Sequence, residues 1–354
     1  MATILHRIFN DHARNVRDKI IGIYILLVTA NVVVWLWAFA AFRHYPVLLG
    51  TALLAYGFGL RHAVDADHIA AIDNVTRKLM QEGKRPVTIG FFFSLGHSTV
   101  VVLMSILTAA TAMALQNRFE NFKAVGGIIG TVVSAFFLLA IAIMNLVILV
   151  GIYRTFQRVK AGERYVDEDL DLLLARGGLL ARVFRPLFKL IRRSWHMYPL
   201  GFLFGLGFDT ATEIGLLGIS AAEASQGLPI WSILVFPALF TAGMCLIDTT
   251  DSIMMLGAYG WAFVKPIRKL FYNMTITLVS VIVALVVGGI EALGLLVGQL
   301  QLSGPFWDFV GTLNDHFGSI GYLIIGIFVV SWLASIAIYR WKRYDDLEIE
   351  TSAG

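Results

Sequence analysis

Ionisable side chains are concentrated in four stretches of an otherwise apolar chain. Arg61, His62, Asp65, Asp67, His68 and Asp73 fall in the first and His97 in the second. Asp209 and Glu213 fall in the third, and Asp248 and Asp251 in the fourth. Three imidazoles and seven carboxylates face a single guanidinium, so the set is short of positive charge. A divalent cation would supply it. Neutral imidazole suits Ni, Co, Zn and Cu, whereas a Mg or Ca site is built from oxygen alone. The one cysteine, Cys245, excludes a multi-thiolate site and an internal disulfide framework. Histidine with carboxylate and no thiolate therefore points to a borderline transition metal.

Spacing narrows the ligands. On an uninterrupted helix, turning about 100° per residue, His62, Asp65 and His68 span roughly 120° of one face. Asp67 then lies about 100° beyond His68, toward a neighbouring helix. Asp209 with Glu213, and Asp248 with Asp251, are spaced to share a face. Gly57-x-Gly59 and Gly205-x-Gly207 stand just upstream and predict close helix packing or local unwinding. A buried network that only fixes helix register is an alternative for Arg61, Asp73, Glu291 and Asn31. It does not account for His62, Asp67, His68 and His97 together.

These residues need elements to hold them, and composition says which. The chain has 354 residues, 58% hydrophobic and 15% charged, with a mean hydropathy of +0.75. No soluble fold hides that much apolar surface. A spanning helix needs about 20 mostly apolar residues. Such stretches run over 20–42, 47–75, 88–114, 125–152, 198–222, 230–259, 273–300 and 318–340. The expected fold is an all-α integral membrane protein with eight transmembrane helices in one polytopic domain, 1–354. Residues 1–19 are polar and basic, and the apolar run after them is too long for a signal peptide. The segment 153–197 carries both charge signs and is expected to be a cytoplasmic loop holding an amphipathic helix.

Charge sorting gives the orientation. Of 28 Lys and Arg, 24 fall in the N-terminus, 76–87, 153–197, 260–272 and the C-terminal tail, and three in the opposite loops. Loops rich in Lys and Arg stay in the cytoplasm, so both termini are expected there. The basic pI of about 9.1 is then a topology signal and needs no nucleic-acid partner. A short internal match adds symmetry. Gly57-Phe58-Gly59 aligns with Gly205-Leu206-Gly207 and puts Asp65 on Glu213, and His97-Ser98-Thr99 aligns with Asp248-Thr249-Thr250. The match shifts the spans by an odd number, so spans 2–4 and 5–7 would form an inverted repeat.

The polar segments also carry a resemblance. His62-Ala63-Val64-Asp65-Ala66-Asp67-His68 contains His-x4-Asp-His, and Ser94-Leu95-Gly96-His97 follows on the next span. Leu206-Gly207-Phe208-Asp209-Thr210-Ala211-Thr212-Glu213 and Gly243-Met244-Cys245-Leu246-Ile247-Asp248-Thr249-Thr250-Asp251 complete the set. The chain resembles the nickel/cobalt transporter family, the NiCoT permeases, over roughly 20–340. The resemblance implies high-affinity uptake of Ni²⁺, Co²⁺ or both through a bacterial-type cytoplasmic membrane, with the metal as substrate and no cofactor. It implies that His62, Asp67 and His68 are central to recognition, with Asp65 and His97 beside them. Asp209, Glu213, Asp248 and Asp251 carry over as pathway or second-repeat ligands. Val64 is the variable position of the first signature, where a small residue leans toward nickel; Asn31 approaches it from the first span. Cys245 is not one of the signature's polar positions.

Rival readings differ in class. A related efflux group usually has a His-rich segment, and this chain's other histidines are dispersed. A membrane metalloenzyme would need more clustered histidines or a His-Glu-x-x-His, and neither is present. A non-conducting metal sensor is the third. No Gly-x4-Gly-Lys-Ser/Thr loop occurs, so the chain itself is not expected to hydrolyse ATP, and nothing in it requires an ATPase partner.

Overall fold

The computed structural model describes residues 8–11, 15–111, 116–160, 190–206, 211–225, 227–262 and 266–342. Among these the regular elements are all helical. The long apolar runs explain why: in lipid each backbone N–H and C=O needs a partner within its own segment. Helix α1 (Val16–Phe42) opens the bundle, capped by Asn15, whose side chain accepts from the Asp18 amide. The second apolar stretch is broken into α2 (Pro46–His62) and α3 (Ala66–Gln81). Then come α4 (Ile89–Thr111), α5 (Gln116–Lys160), α6 (Met197–Gly205) and α7 (Ala211–Ser225). The short α8 (Ile230–Ile233) runs into α9 (Val235–Ala262), followed by α10 (Pro266–Leu300), α11 (Pro305–Asp315) and α12 (Phe317–Trp341).

Six helical stretches are single runs long and apolar enough to cross a membrane, and α2 with α3 makes a seventh, bent by 50°. The fifth expected span, 198–222, falls on α6 and α7, and residues 207–210 between them lie outside the described residues. Two spans are longer than hydropathy suggested. The 45 residues of α5 and the 35 of α10 continue past their apolar cores, because helix propensity does not stop where lipid does. The helix α11 sits in what reads as a loop. The amphipathic helix expected within 153–197 falls mainly on 161–189, outside the described residues.

The break in the second span has a local cause. After His62 the chain tightens: Val64 N–H bonds Arg61 O and Asp65 N–H bonds His62 O, both three residues back. Asp65 is then extended, with φ −66° and ψ 149°, and α3 restarts from its carbonyl, which accepts from Ile69 N–H. The helix that follows is short of apolar residues, yet positions 68–80 are buried throughout. It lies between α5, α9, α10 and α12, so the most polar helix runs through the middle of the bundle. Outer faces of α1 and α12 expose Leu36, Phe39, Leu323 and Val330, as a lipid-facing surface requires.

Glycine permits two of the close helix contacts around the break. A Cβ on Gly59 of α2 would overlap the Phe240 carbonyl of α9. A Cβ on Gly96 of α4 would overlap the Tyr198 carbonyl of α6. Small residues let backbones meet in lipid, where no hydrophobic force drives helices together. The first contact lies one turn before His62 and the second one residue before His97.

Candidate metal site

Three imidazoles converge where the second span breaks. His62 ends α2, His68 lies in the first turn of α3, and His97 comes from the middle of α4. Ring centroids are 4.7 Å apart for His62 and His68, 4.7 Å for His62 and His97, and 4.9 Å for His68 and His97. Each can offer one ring nitrogen so that the three donors lie within 4.8 Å of one another. All three side chains are buried. An unbroken helix would have stacked His62 and His68 along one face. The bend instead folds them together at a corner, so the helical-wheel expectation is replaced by a different geometry.

A carboxylate from the other half of the chain closes the group. Glu213, in the first turn of α7 and buried, places Oε1 2.8 Å from His97 Nε2 and 3.9 Å from His62 Nε2. His62 Nε2 and His97 Nε2 are 2.9 Å apart. Two ring nitrogens cannot approach so closely unless a proton or a cation lies between them.

Proton positions follow from the partners. His62 Nδ1 is 2.9 Å from Asp65 Oδ2, and a carboxylate only accepts, so in the neutral ring Nδ1 carries the hydrogen and Nε2 keeps its lone pair. His68 Nδ1 is 3.1 Å from Asp248 Oδ2, so His68 Nε2 is likewise a lone pair. That nitrogen is buried and has no hydrogen-bond partner among the described residues. The His97 Nε2 hydrogen is shared between His62 Nε2 and Glu213, and its buried Nδ1 is unpartnered. Moving that hydrogen to Nδ1 would free His97 Nε2. Carboxylates that fix the tautomer of a ligand histidine are the usual outer shell of a metal site. Asp248 is itself held by the Ser94 hydroxyl at 2.6 Å. Phe93 meets the His68 ring edge-on at 4.8 Å between centroids, and Phe240 lies 5.5 Å from His62. These aromatic walls shield the pocket from lipid and water.

The remaining expected residues are placed as follows. Asp65 is buried beside His62, with Oδ1 unpartnered. Asp67 is partly exposed at the rim, within electrostatic reach of His62 but outside the three-histidine group. Asp251 is one turn from Asp248 on α9 and makes no contact with the histidines among the described bonds. Asp209 lies outside the described residues. Asn31 donates to Leu27 O and Ala242 O and accepts from the Tyr56 hydroxyl at 2.9 Å. Val64 packs against the core around Ile69 and Phe93. Arg61 is exposed on α2, whereas Asp73 is fully buried. Cys245 is buried with Ile23 and Leu27 on one side and Ser94 and Asp248 on the other.

Ser94, Phe93 and Phe240 belong to the site and were not singled out beforehand. Ser94 had a signal, since it stands three residues before His97 and shares its face. Phe93 and Phe240 had none, because an aromatic residue in an apolar span is unremarkable until its neighbours are known.

Residues 48–338 match the NicO family, described as high-affinity nickel-transport protein. The chain is 66% identical over 333 residues to a high-affinity nickel transport protein of Cupriavidus necator, covering 94% of this chain and 95% of that one. It is 46% identical over 325 residues to the nickel transporter NixA of Staphylococcus aureus, covering 92% and 94%. It is 40% identical over 298 residues to the cobalt transport protein NhlF of Rhodococcus rhodochrous, covering 83% and 84%. No solved structure matches the chain.

Proposed function

Because the chain belongs to the NicO family of high-affinity nickel-transport proteins, we propose that it takes up Ni²⁺, with Co²⁺ as a competing ion, across a cytoplasmic membrane. His62, His68, His97 and Glu213 form the station where the dehydrated ion pauses. The observation that carries this reading is the buried, unpartnered Nε2 of His68 beside the close pair of His62 and His97 nitrogens.

Asp67, at the rim, captures the ion on entry and hands it to His62. Asp65 and Asp248 orient imidazoles, and Asp209, Asp251, Asn31 and Val64 line the route or its wall. The basic loops face the cytoplasm, so both termini and the segment 153–197 lie inside, and the count of spans is eight. The inverted repeat of spans 2–4 and 5–7 is supported by reciprocal packing. Span two packs on span six through Gly59, and span five packs on span three through Gly96. Alternating access would then rock one half against the other around the imidazole site. The drive is an ion gradient or the membrane potential.

The test is ⁶³Ni accumulation in cells producing equal amounts of each form. His62→Ala is expected to abolish accumulation, and Asp67→Ala to reduce it. Parent-level accumulation in His62→Ala would refute the site. The relative named for cobalt keeps cobalt open as a second cargo, and competition of ⁶³Ni uptake by Co²⁺, Zn²⁺ and Mn²⁺ ranks the ions.

A further inference from the structure

Below the imidazoles, toward the basic loops, a second group of charged side chains is buried that the site does not use. Asp251 is 8% exposed, its Oδ2 is fully buried, and it makes no hydrogen bond or ion pair among the described residues. Its charged neighbours are both acidic, Asp248 and Asp73. Asp73 accepts from the Ser280 hydroxyl at 2.6 Å and from the Tyr259 hydroxyl. One turn further along α3 is Arg77, also buried. Its guanidinium donates to Thr277 Oγ1 at 3.1 Å and Asn74 Oδ1 at 3.0 Å, both neutral groups. No carboxylate lies within 4.0 Å of it among the described residues.

The Arg77 charge reaches Asp73 but not Asp251, and a buried carboxylate with no countercharge is costly in a membrane. A structural network would have given Asp251 a partner. Position along the helices suggests why it does not. With a rise of about 1.5 Å per residue, Asp251 is about 4.5 Å along α9 from Asp248, and Asp73 about 7.5 Å along α3 from His68. Both displacements run toward the Lys- and Arg-rich loops. A cation leaving the histidines on that side meets these oxygens next.

We propose that Asp251 and Asp73 form a second, weaker station for the transported divalent cation, and that Arg77 is the fixed charge that keeps it weak. This rests on the transport reading above and adds the release step to it. Oxygen ligands hold Ni²⁺ and Co²⁺ less tightly than imidazoles do. Conduction needs sites strong enough to enter and weak enough to leave. Repulsion by Arg77 offsets part of the attraction of two carboxylates, so the ion is let go rather than trapped.

Equilibrium dialysis of the purified full-length protein against ⁶³Ni²⁺ alone, paired with uptake into proteoliposomes, tests this. The parent is expected to show a tight and a weak class of bound nickel. Asp251→Asn should lose the weak class, keep the tight one and slow uptake about tenfold, with Asp251→Glu restoring most of it. Arg77→Gln should tighten the weak class while slowing uptake, a pairing that a merely structural arginine would not produce. The proposal is overturned if the weak class survives Asp251→Asn, or if Arg77→Gln leaves its affinity unchanged. Loss of the tight class in a well-folded Asp251→Asn would move Asp251 into the imidazole site and overturn it too. Parent protein that binds nickel in both classes yet moves none would sink the transport reading and leave the second station standing. Should Asp251→Asn fail to fold, the Asp251→Glu and Arg77→Gln measurements decide.

Discussion

Asp248 decides which nitrogen of His68 faces the other imidazoles, although in the proposed site it is not itself a ligand. Its carboxylate takes the Nδ1 hydrogen, and Ser94 holds the carboxylate in turn. Asp65 does the same for His62. Removing such an outer partner typically costs about 10–100-fold in metal affinity. Asp248→Asn is therefore expected to weaken equilibrium nickel binding by roughly that factor, because an amide can donate and lets the ring choose the wrong tautomer. Asp248→Glu should recover part of it. Calorimetric titration of the purified variants checks this, and unchanged affinity in Asp248→Asn would remove Asp248 from the orienting role. At this scale the residue types were legible in the sequence, since His62, His68 and His97 are too costly to bury in lipid without a partner. Which carboxylate serves which ring was not legible, because Asp248 lies 180 residues from His68.

At the scale of elements, the break between α2 and α3 creates the site. Had the helix run on, His62 and His68 would have pointed along one face and the three rings could not have met. The glycine contacts then fix how deeply the flanking helices approach. Gly96 sits one residue before His97, so the packing of α4 on α6 and the position of that ring are coupled. Gly96→Leu must push the Tyr198 backbone away, and overpacking of this kind costs about 1–3 kcal/mol. The expected outcome is a lower melting temperature together with lost nickel binding, while Gly57→Ala, with open space around it, stays near the parent. Thermal unfolding followed by tryptophan fluorescence measures both. The glycines themselves were visible in the sequence as candidates for close packing or unwinding. Only the packed helices show that Gly59, and not Gly57, carries the contact.

For the whole molecule, the proposed orientation rests on the 24 basic residues gathered in one set of loops. In a Cys245→Ala background, Ser303→Cys should react with a membrane-impermeant maleimide in intact cells, and Ser352→Cys only after lysis. The reverse pattern would invert the topology and with it the direction assigned to the second station. Residence in a bilayer, the helical class and a buried histidine and carboxylate set were determined by sequence alone. Hydropathy, charge bias and desolvation cost are sums over local composition and need no coordinates. The tertiary structure decided that the second span is broken and that Glu213, from the other half of the chain, stands against the imidazoles. It also decided that Asp251 is left without a partner among the described residues. Those facts depend on contacts between residues distant in the chain, whose energies exist only once the helices have packed.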